Sequence, residues 1–80
     1  MKIKDKVILH DFLAAVDKCK DEVYLLSPFG DKYNLKSELS EYLAIGALLN
    51  EGGDYLELFC VNKEDEVNFV DFFKKNPEVL

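Results

Sequence analysis

The first regular pattern along the chain is a helical spacing of apolar residues over residues 5–20. Positions at about 100° intervals place these residues on one broad face, which predicts an amphipathic helix with Asp5 as its N-cap. The face comprises Ile8, Leu9, Phe12, Leu13, Val16 and Cys19. Residues 1–4 are then left for a short leading strand.

A second interpretation of this segment stays open, because residues 2–9 also alternate between polar and apolar types. In that case a longer strand ends at Leu9, and the helix begins at Asp11. We favour the long helix, since its periodicity covers more residues than the alternation does. The two interpretations differ in one chemical consequence, because only the second places His10 at a helix N-terminus.

The middle of the chain predicts a hairpin followed by a helix. Residues 23–27 have strand composition, residues 28–31 contain Pro and Gly in turn order, and residues 32–35 form the returning arm. Ser37 then caps a helix that ends at Asn50. This helix carries Leu39, Tyr42, Leu43, Gly46 and Leu49 along one face.

The C-terminal part predicts one more strand, over residues 55–61, and one more helix, which Asn62 caps. That helix opens with the acidic run 64–66, where carboxylates suit the helix dipole. It packs through Val67, Phe69, Val70, Phe72 and Phe73. The order (short β)-α-β-β-α-β-α predicts an α+β fold in one domain over residues 1–80, with helices on one face of an antiparallel sheet.

Composition and charge exclude several classes of function. Hydrophobic residues make up 49% and charged residues 32% of the 80 residues, which is typical of a folded globular chain. The longest apolar run, residues 42–49, is too short to span a bilayer, and the N-terminus lacks an apolar signal core, so we expect a cytoplasmic protein. The net charge of −6 argues against nucleic acid and anionic membranes as partners.

A family resemblance covers residues 23–73. Its most distinctive part is Tyr33-Asn34-Leu35-Lys36-Ser37 leading into a helix, followed by Gly52-Gly53-Asp54 before a strand and by the acidic opening of the last helix. This stretch resembles HPr, the histidine-containing phosphocarrier protein of the bacterial phosphotransferase system. The resemblance implies an open-faced β-sandwich, in which three helices cover one face of a four-stranded antiparallel sheet with a short first strand.

The chemistry of that family is incomplete in this sequence. HPr carries its phosphoryl group on a histidine at the N-cap of the first helix, in a His-x-Arg-Pro motif. Aligned without gaps, the histidine position falls on Asp5 and the arginine position on Val7, and the chain contains no Arg. We therefore predict a non-catalytic or regulatory protein-interaction homologue, which is not an enzyme and needs no cofactor. The alternative is a working phosphocarrier that accepts the phosphoryl group on His10.

Ser37 is the second candidate for phosphorylation. The resemblance implies a regulatory site here, because the serine at this position is phosphorylated in HPr of Gram-positive bacteria. The ordinary interpretation is a helix cap, since Glu38 and Glu41 follow and would repel an added phosphate.

The two cysteines, Cys19 and Cys60, fit core packing better than chemistry. They and the single histidine lack the paired spacing of a metal site, so we predict no metal.

Strand alternation predicts an exposed association surface on the bare face of the sheet. We expect this face to contact a second copy of the chain, as a homodimer, or another protein partner, including phosphotransferase-system components. It consists of Tyr24, Leu26, Tyr55, Phe59 and Val61. A second candidate surface surrounds Leu39, Tyr42 and Ile45 on the middle helix.

Overall fold

Three helices and three strands make up the part of the chain that the structure, a computed structural model, describes, namely residue 3, residues 5–49 and residues 56–79. The helices are α1 (Lys6–Lys18), α2 (Glu38–Leu49) and α3 (Val67–Lys75), and the strands are β1 (Val23–Leu26), β2 (Lys32–Asn34) and β3 (Glu57–Cys60). Short 3-10 turns at Lys63–Glu66 and Pro77–Val79 flank α3. The predicted α+β class is confirmed.

The strands form an antiparallel sheet in the order β2-β1-β3. On its inner face, Val23 pairs with Cys60 and Leu25 pairs with Leu58, and the helices cover these side chains. The described residues supply three strands of the predicted four. The predicted leading strand lies outside them except for Ile3, whose side chain is buried in the core.

A tight turn joins β1 to β2. The amide of Ser27 donates to the Asp31 carbonyl at 2.9 Å, and the Ser27 hydroxyl accepts from the amides of Phe29 and Asp31. Gly30 takes a φ of 91°, a conformation that glycine adopts without steric cost. The predicted Pro-Gly turn is therefore confirmed, and it fixes the register of the hairpin.

Helix α1 begins at Lys6, with Asp5 as its N-cap. The Asp5 carboxylate accepts a hydrogen bond from the Val7 amide at 2.7 Å, and the Leu9 amide bonds to the Asp5 carbonyl at 2.9 Å. The prediction of the long helix is confirmed, and the alternative in which a strand extends to Leu9 is wrong. The cap and the long apolar face both favour helix at these positions.

The centre of the core is an aromatic cluster between α1 and α3. The Phe12 ring lies 5.7 Å from that of Phe69 and 5.5 Å from that of Phe72, measured between centroids. Tilted and edge-on pairs of this kind add about 0.5–1.5 kcal/mol each to the gain from burial. This packing places α1 and α3 side by side over the sheet.

Helix α2 buries the side opposite to the residues that its spacing groups together. Ala44 and Leu48 are its buried residues, and the set that the sequence placed on one apolar face points outward. The reason is that α2 is apolar on opposite sides, so its periodicity does not select the side that packs. The structure packs the side that contains Ala44 and Leu48 and leaves the other side, with Leu39 and Tyr42, in solvent.

The last helix departs from its prediction in its cap and in two of its packing residues. Asn62 caps a 3-10 turn, with its side-chain oxygen accepting from the Glu64 amide at 2.9 Å, and α3 follows only from Val67. Val67 and Val70 are exposed, whereas Phe69 and Phe72 are buried. The core contacts are made by aromatic rings that are long enough to reach α1, and the two valines flank them on the solvent side.

Within the described ranges, the structure contains no helix with the length and apolar character needed to cross a bilayer.

Candidate functional site

The N-terminus of α1 is the position at which the resemblance places a phosphohistidine. Asp5 occupies this N-cap, and its carboxylate accepts from a first-turn amide. Helix N-termini attract anions because their amides lack intrahelical partners. Here the side chain of the protein itself supplies the anion, so an incoming phosphate would compete with it and be repelled by it.

His10 lies farther along the same helix, as its fifth residue, and its side chain is exposed. Amides at this depth in a helix bond to carbonyls four residues earlier, so they do not offer free donors to a phosphate. The structure therefore does not bring His10 to the helix N-terminus.

Ser37 directly precedes α2 and is exposed. Its carbonyl accepts from the Glu41 amide at 2.7 Å, which starts the helix, and its amide donates to the Asn34 carbonyl at 3.1 Å. Burial and the nearby carboxylates of Asp17 and Glu38 raise the pKa of Glu41. A phosphate on Ser37 would add negative charge to a region that already disfavours it.

The Asn34-Leu35-Lys36-Ser37 motif connects β2 to α2 through defined contacts. The Asn34 side chain accepts from the Lys36 amide at 2.9 Å and donates to Glu22 at 3.0 Å. Leu35 is buried, and its amide donates to the Val23 carbonyl at 2.8 Å. The Lys36 ammonium donates to the Cys19 carbonyl at 2.8 Å. One of these contacts is within the connection, and the other three tie it to residues 19–23.

The sheet outer face is formed by the outward residues of three strands: Tyr24, Leu26, Lys32, Asn34, Glu57 and Phe59. The Tyr24 hydroxyl donates a hydrogen bond to the Glu22 carboxylate, and this bond raises the pKa of Tyr24. The Lys32 ammonium lies 4.2 Å from the centre of the Tyr24 ring. Phe59 is 50% exposed, and Leu26 is half-buried. Polar and charged groups thus interrupt the predicted apolar patch.

Two further residues were predicted for the same face. Val61 is exposed just after β3, and its amide donates to the Glu22 carbonyl at 3.1 Å. Tyr55 lies outside the described residues.

The outward side of α2 is more uniformly apolar. We call it the α2 outer face; it comprises Leu39, Tyr42, Leu43, Gly46 and Leu49. Leu39 is 71% and Tyr42 is 75% exposed. Ile45, which the sequence grouped with these residues, is half-buried beside them. The structure therefore places the second candidate surface in solvent.

A groove of about 540 Å³ lies between β3 and α3. Its lining is mainly apolar and includes Leu58, Phe69 and Phe73, with Glu57 and Glu66 among the lining residues. Burial, with a smaller contribution from neighbouring acidic groups, raises the pKa of the Cys60 thiol in this groove to about 11. The thiol is therefore protonated at neutral pH and is a poor nucleophile.

A buried polar junction around Asp65 was missed by the sequence analysis, which grouped this residue with the acidic helix start. Its carboxylate accepts from the amides of Lys20 at 2.9 Å and Asp21 at 3.0 Å, and these bonds lower its pKa. The Asp65 carbonyl also accepts from Asn68 at 3.1 Å. The junction ties the chain after α1 to the start of α3.

A signal for this junction exists in the sequence. Asp65 shares a helical phase with Phe69 and Phe72, at intervals of four and three residues, so a helical wheel places it on the buried face.

Neither the metal-site geometry of the described residues nor a comparison with known proteins assigns a function to this chain. Among the described residues, no three His, Cys, Asp or Glu side chains are arranged to hold a metal ion. Comparisons of the chain with protein families, with curated proteins and with solved structures find no match. The resemblance to HPr therefore stays a prediction.

Proposed function

We propose that this chain is a non-catalytic, HPr-like protein that acts through contacts with other proteins, in or beside the bacterial phosphotransferase system. The single observation that supports this proposal is the N-cap of α1, where Asp5 occupies the position of the family's histidine and already binds the Val7 amide. The proposal includes the four-stranded sandwich of that family, with residues 1–4 as its short first strand.

The alternative function is a phosphocarrier with His10 as the acceptor. Phosphohistidine chemistry of this kind uses free amides and a nearby cation to bind the phosphoryl group. His10 lies inside α1 next to Asp11, and the chain has no Arg to supply a bidentate contact. These features favour the non-catalytic role.

The expected partners are proteins, and the expected location is the cytoplasm. The net charge of −6 disfavours nucleic acid and anionic membranes. Two exposed surfaces are available for contacts, the sheet outer face and the α2 outer face. A homodimer through the sheet outer face stays a candidate, but the polar contacts around Tyr24 make the α2 outer face the stronger one.

A phosphoryl-transfer assay tests the catalytic half of the proposal. The chain is incubated with enzyme I and labelled phosphoenolpyruvate, and a bacterial HPr serves as the positive control. We expect label on HPr and none on this chain. Acid-labile label that is lost in His10→Ala and kept in the matched variant Asp11→Ala would establish the phosphocarrier and overturn the proposal.

A binding experiment tests the interaction half. The ¹⁵N-labelled chain is titrated with purified proteins of the phosphotransferase system while amide shifts are recorded. We expect one of them to shift amides on α2 or on the sheet outer face. If all of these proteins leave the spectrum unchanged, the assignment to this system is wrong.

A further inference from the structure

We propose that the α2 outer face binds a cationic amphipathic helix of a partner protein. This inference rests on the proposed interaction function and specifies its surface and its partner. It starts from the arrangement on α2, where residues spaced by three and four positions form one continuous apolar strip in solvent. A strip of this shape is the usual counterpart of a second amphipathic helix.

Gly46 lies within the strip and supports close approach of a partner. A glycine inside a helix costs about 0.5–1 kcal/mol relative to alanine. A Cβ atom built on Gly46 would meet nothing within 4 Å, so packing within the described chain does not require the glycine. A partner backbone that approaches α2 at this point would require it, because a side chain there would hold the two helices apart.

The charge around the strip specifies a cationic partner. Glu38 and Glu41 lie in the first turn of α2, and the helix contains no lysine. Asp17 of α1 and Lys36 both lie close to Glu41 at the junction between α1 and α2, so Lys36 offsets part of the negative charge there. Glu38 is exposed in the first turn, and the chain carries a net charge of −6. Lysine or arginine beside the apolar face of a partner helix would complement Glu38 and this net charge.

A second copy of this chain fits the strip less well. Parallel pairing of two α2 helices would bring both pairs of first-turn glutamates together. Antiparallel pairing would place the glutamates of each copy at the negative end of the other helix's dipole. Each copy also carries a net charge of −6. Both orientations are therefore electrostatically unfavourable, unlike the pairing with a cationic helix.

The test uses two synthetic peptides of about 18 residues, long enough to form helix in isolation. Both carry a leucine face; one is flanked by lysines, and the other has glutamate at every lysine position. Amide shifts of the ¹⁵N-labelled full chain locate the binding site, and fluorescence anisotropy measures affinity. We expect only the lysine peptide to bind, with shifts confined to α2.

Three variants separate this site from general attraction between opposite charges. We expect Tyr42→Gln to weaken binding about tenfold, whereas the matched variant Phe59→Gln on the sheet outer face leaves it unchanged. Gly46→Ala should raise the melting temperature and still weaken binding. Equal binding of the two peptides, or equal effects of Tyr42→Gln and Phe59→Gln, would overturn the proposal.

The remaining outcomes keep this inference separate from the proposed function. A dimer of the chain alone, seen by light scattering and lost in Tyr42→Gln, would overturn the cationic partner in favour of a second copy. Phosphorylation of His10 together with α2 shifts would overturn the non-catalytic role and support the docking surface. If the chain accepts no phosphoryl group and binds neither peptide, the docking surface is wrong and the non-catalytic role is unaffected.

Discussion

The α1–α3 pair and α2 are both rich in apolar residues, but they end in different surroundings. Phe12 of α1 is fully buried against Phe69 and Phe72, whereas Tyr42 of α2 is 75% exposed. The opposite face of α1 is polar, so only one orientation buries its apolar residues. Because α2 has two apolar sides, burial of one leaves the other in solvent. An apolar strip thus indicates a core face only when the opposite face is polar.

The largest expected difference between these regions comes from truncating one aromatic ring in each. Phe12→Ala should lower the free energy of unfolding by about 3–5 kcal/mol, because it empties the centre of the aromatic cluster. Tyr42→Ala should change it by no more than about 0.5 kcal/mol, because the ring contacts mainly solvent. Urea denaturation measures both. Similar losses of unfolding free energy in the two variants would contradict the difference between the α1–α3 pair and α2.

The next effect concerns the polar junction that fastens α1 to α3. Asp65→Asn should destabilise the protein at pH 7, since an amide replaces a carboxylate that accepts two backbone amides. The pKa of Asp65 is lowered by folding, so its contribution is present above the unfolded-state pKa of about 3.9 and is lost as pH falls through the folded-state pKa.

This loss of stabilisation is measured by thermal melts of Asp65→Asn and of the wild type, recorded from neutral to acidic pH. We expect the gap in melting temperature to narrow below about pH 4. Glu66→Gln, the exposed neighbour, is the matched control and should show a much smaller gap. A gap for Asp65→Asn that is constant with pH would show that the charge of the carboxylate is unimportant.

A smaller effect is expected at the start of α1. Asp5→Ala should cost about 1 kcal/mol, because it removes the side-chain acceptor of the Val7 amide. Asp11→Ala, in the exposed part of the same helix, is the matched control and should be close to neutral. Chemical denaturation compares them, and equal costs would contradict the capping role of Asp5.

The smallest effect is expected at the junction between α1 and α2. Folding raises the pKa of Glu41, so stability falls as pH rises through that value, and the penalty is present at neutral pH. Glu41→Gln should therefore raise the melting temperature slightly at pH 7 and leave it unchanged in acid. Glu38→Gln in the same helical turn is the control, and an equal gain there would argue against burial as the cause.

Sequence patterns predicted those elements whose local signals agree with one another. The N-cap Asp5 and the face containing Phe12 both favour the same helix, and the structure has it. Alternation along β1 likewise places Tyr24 outward. Local patterns did not reveal that the Lys32 ammonium lies over the Tyr24 ring, because these two side chains meet only in the folded sheet.

The candidate site was predictable in part. The sequence predicted Asp5 as the N-cap of α1, and it identified Leu39 and Tyr42 as a candidate surface. The helical phase that Asp65 shares with Phe69 and Phe72 indicated a buried position, but its backbone partners Lys20 and Asp21 are more than forty residues away and only packing reveals them. The sequence also could not choose the packed side of α2, since both sides are apolar.

The sequence by itself determined the order of helices and strands after residue 5, the cap of α1, the absence of arginine and the acidic net charge. Only the tertiary structure decided which side of α2 is buried, which backbone amides bind the Asp65 carboxylate and which side chains cover the sheet. Local signals act between residues a few positions apart, whereas burial depends on neighbours that are distant in the chain and are brought together by folding.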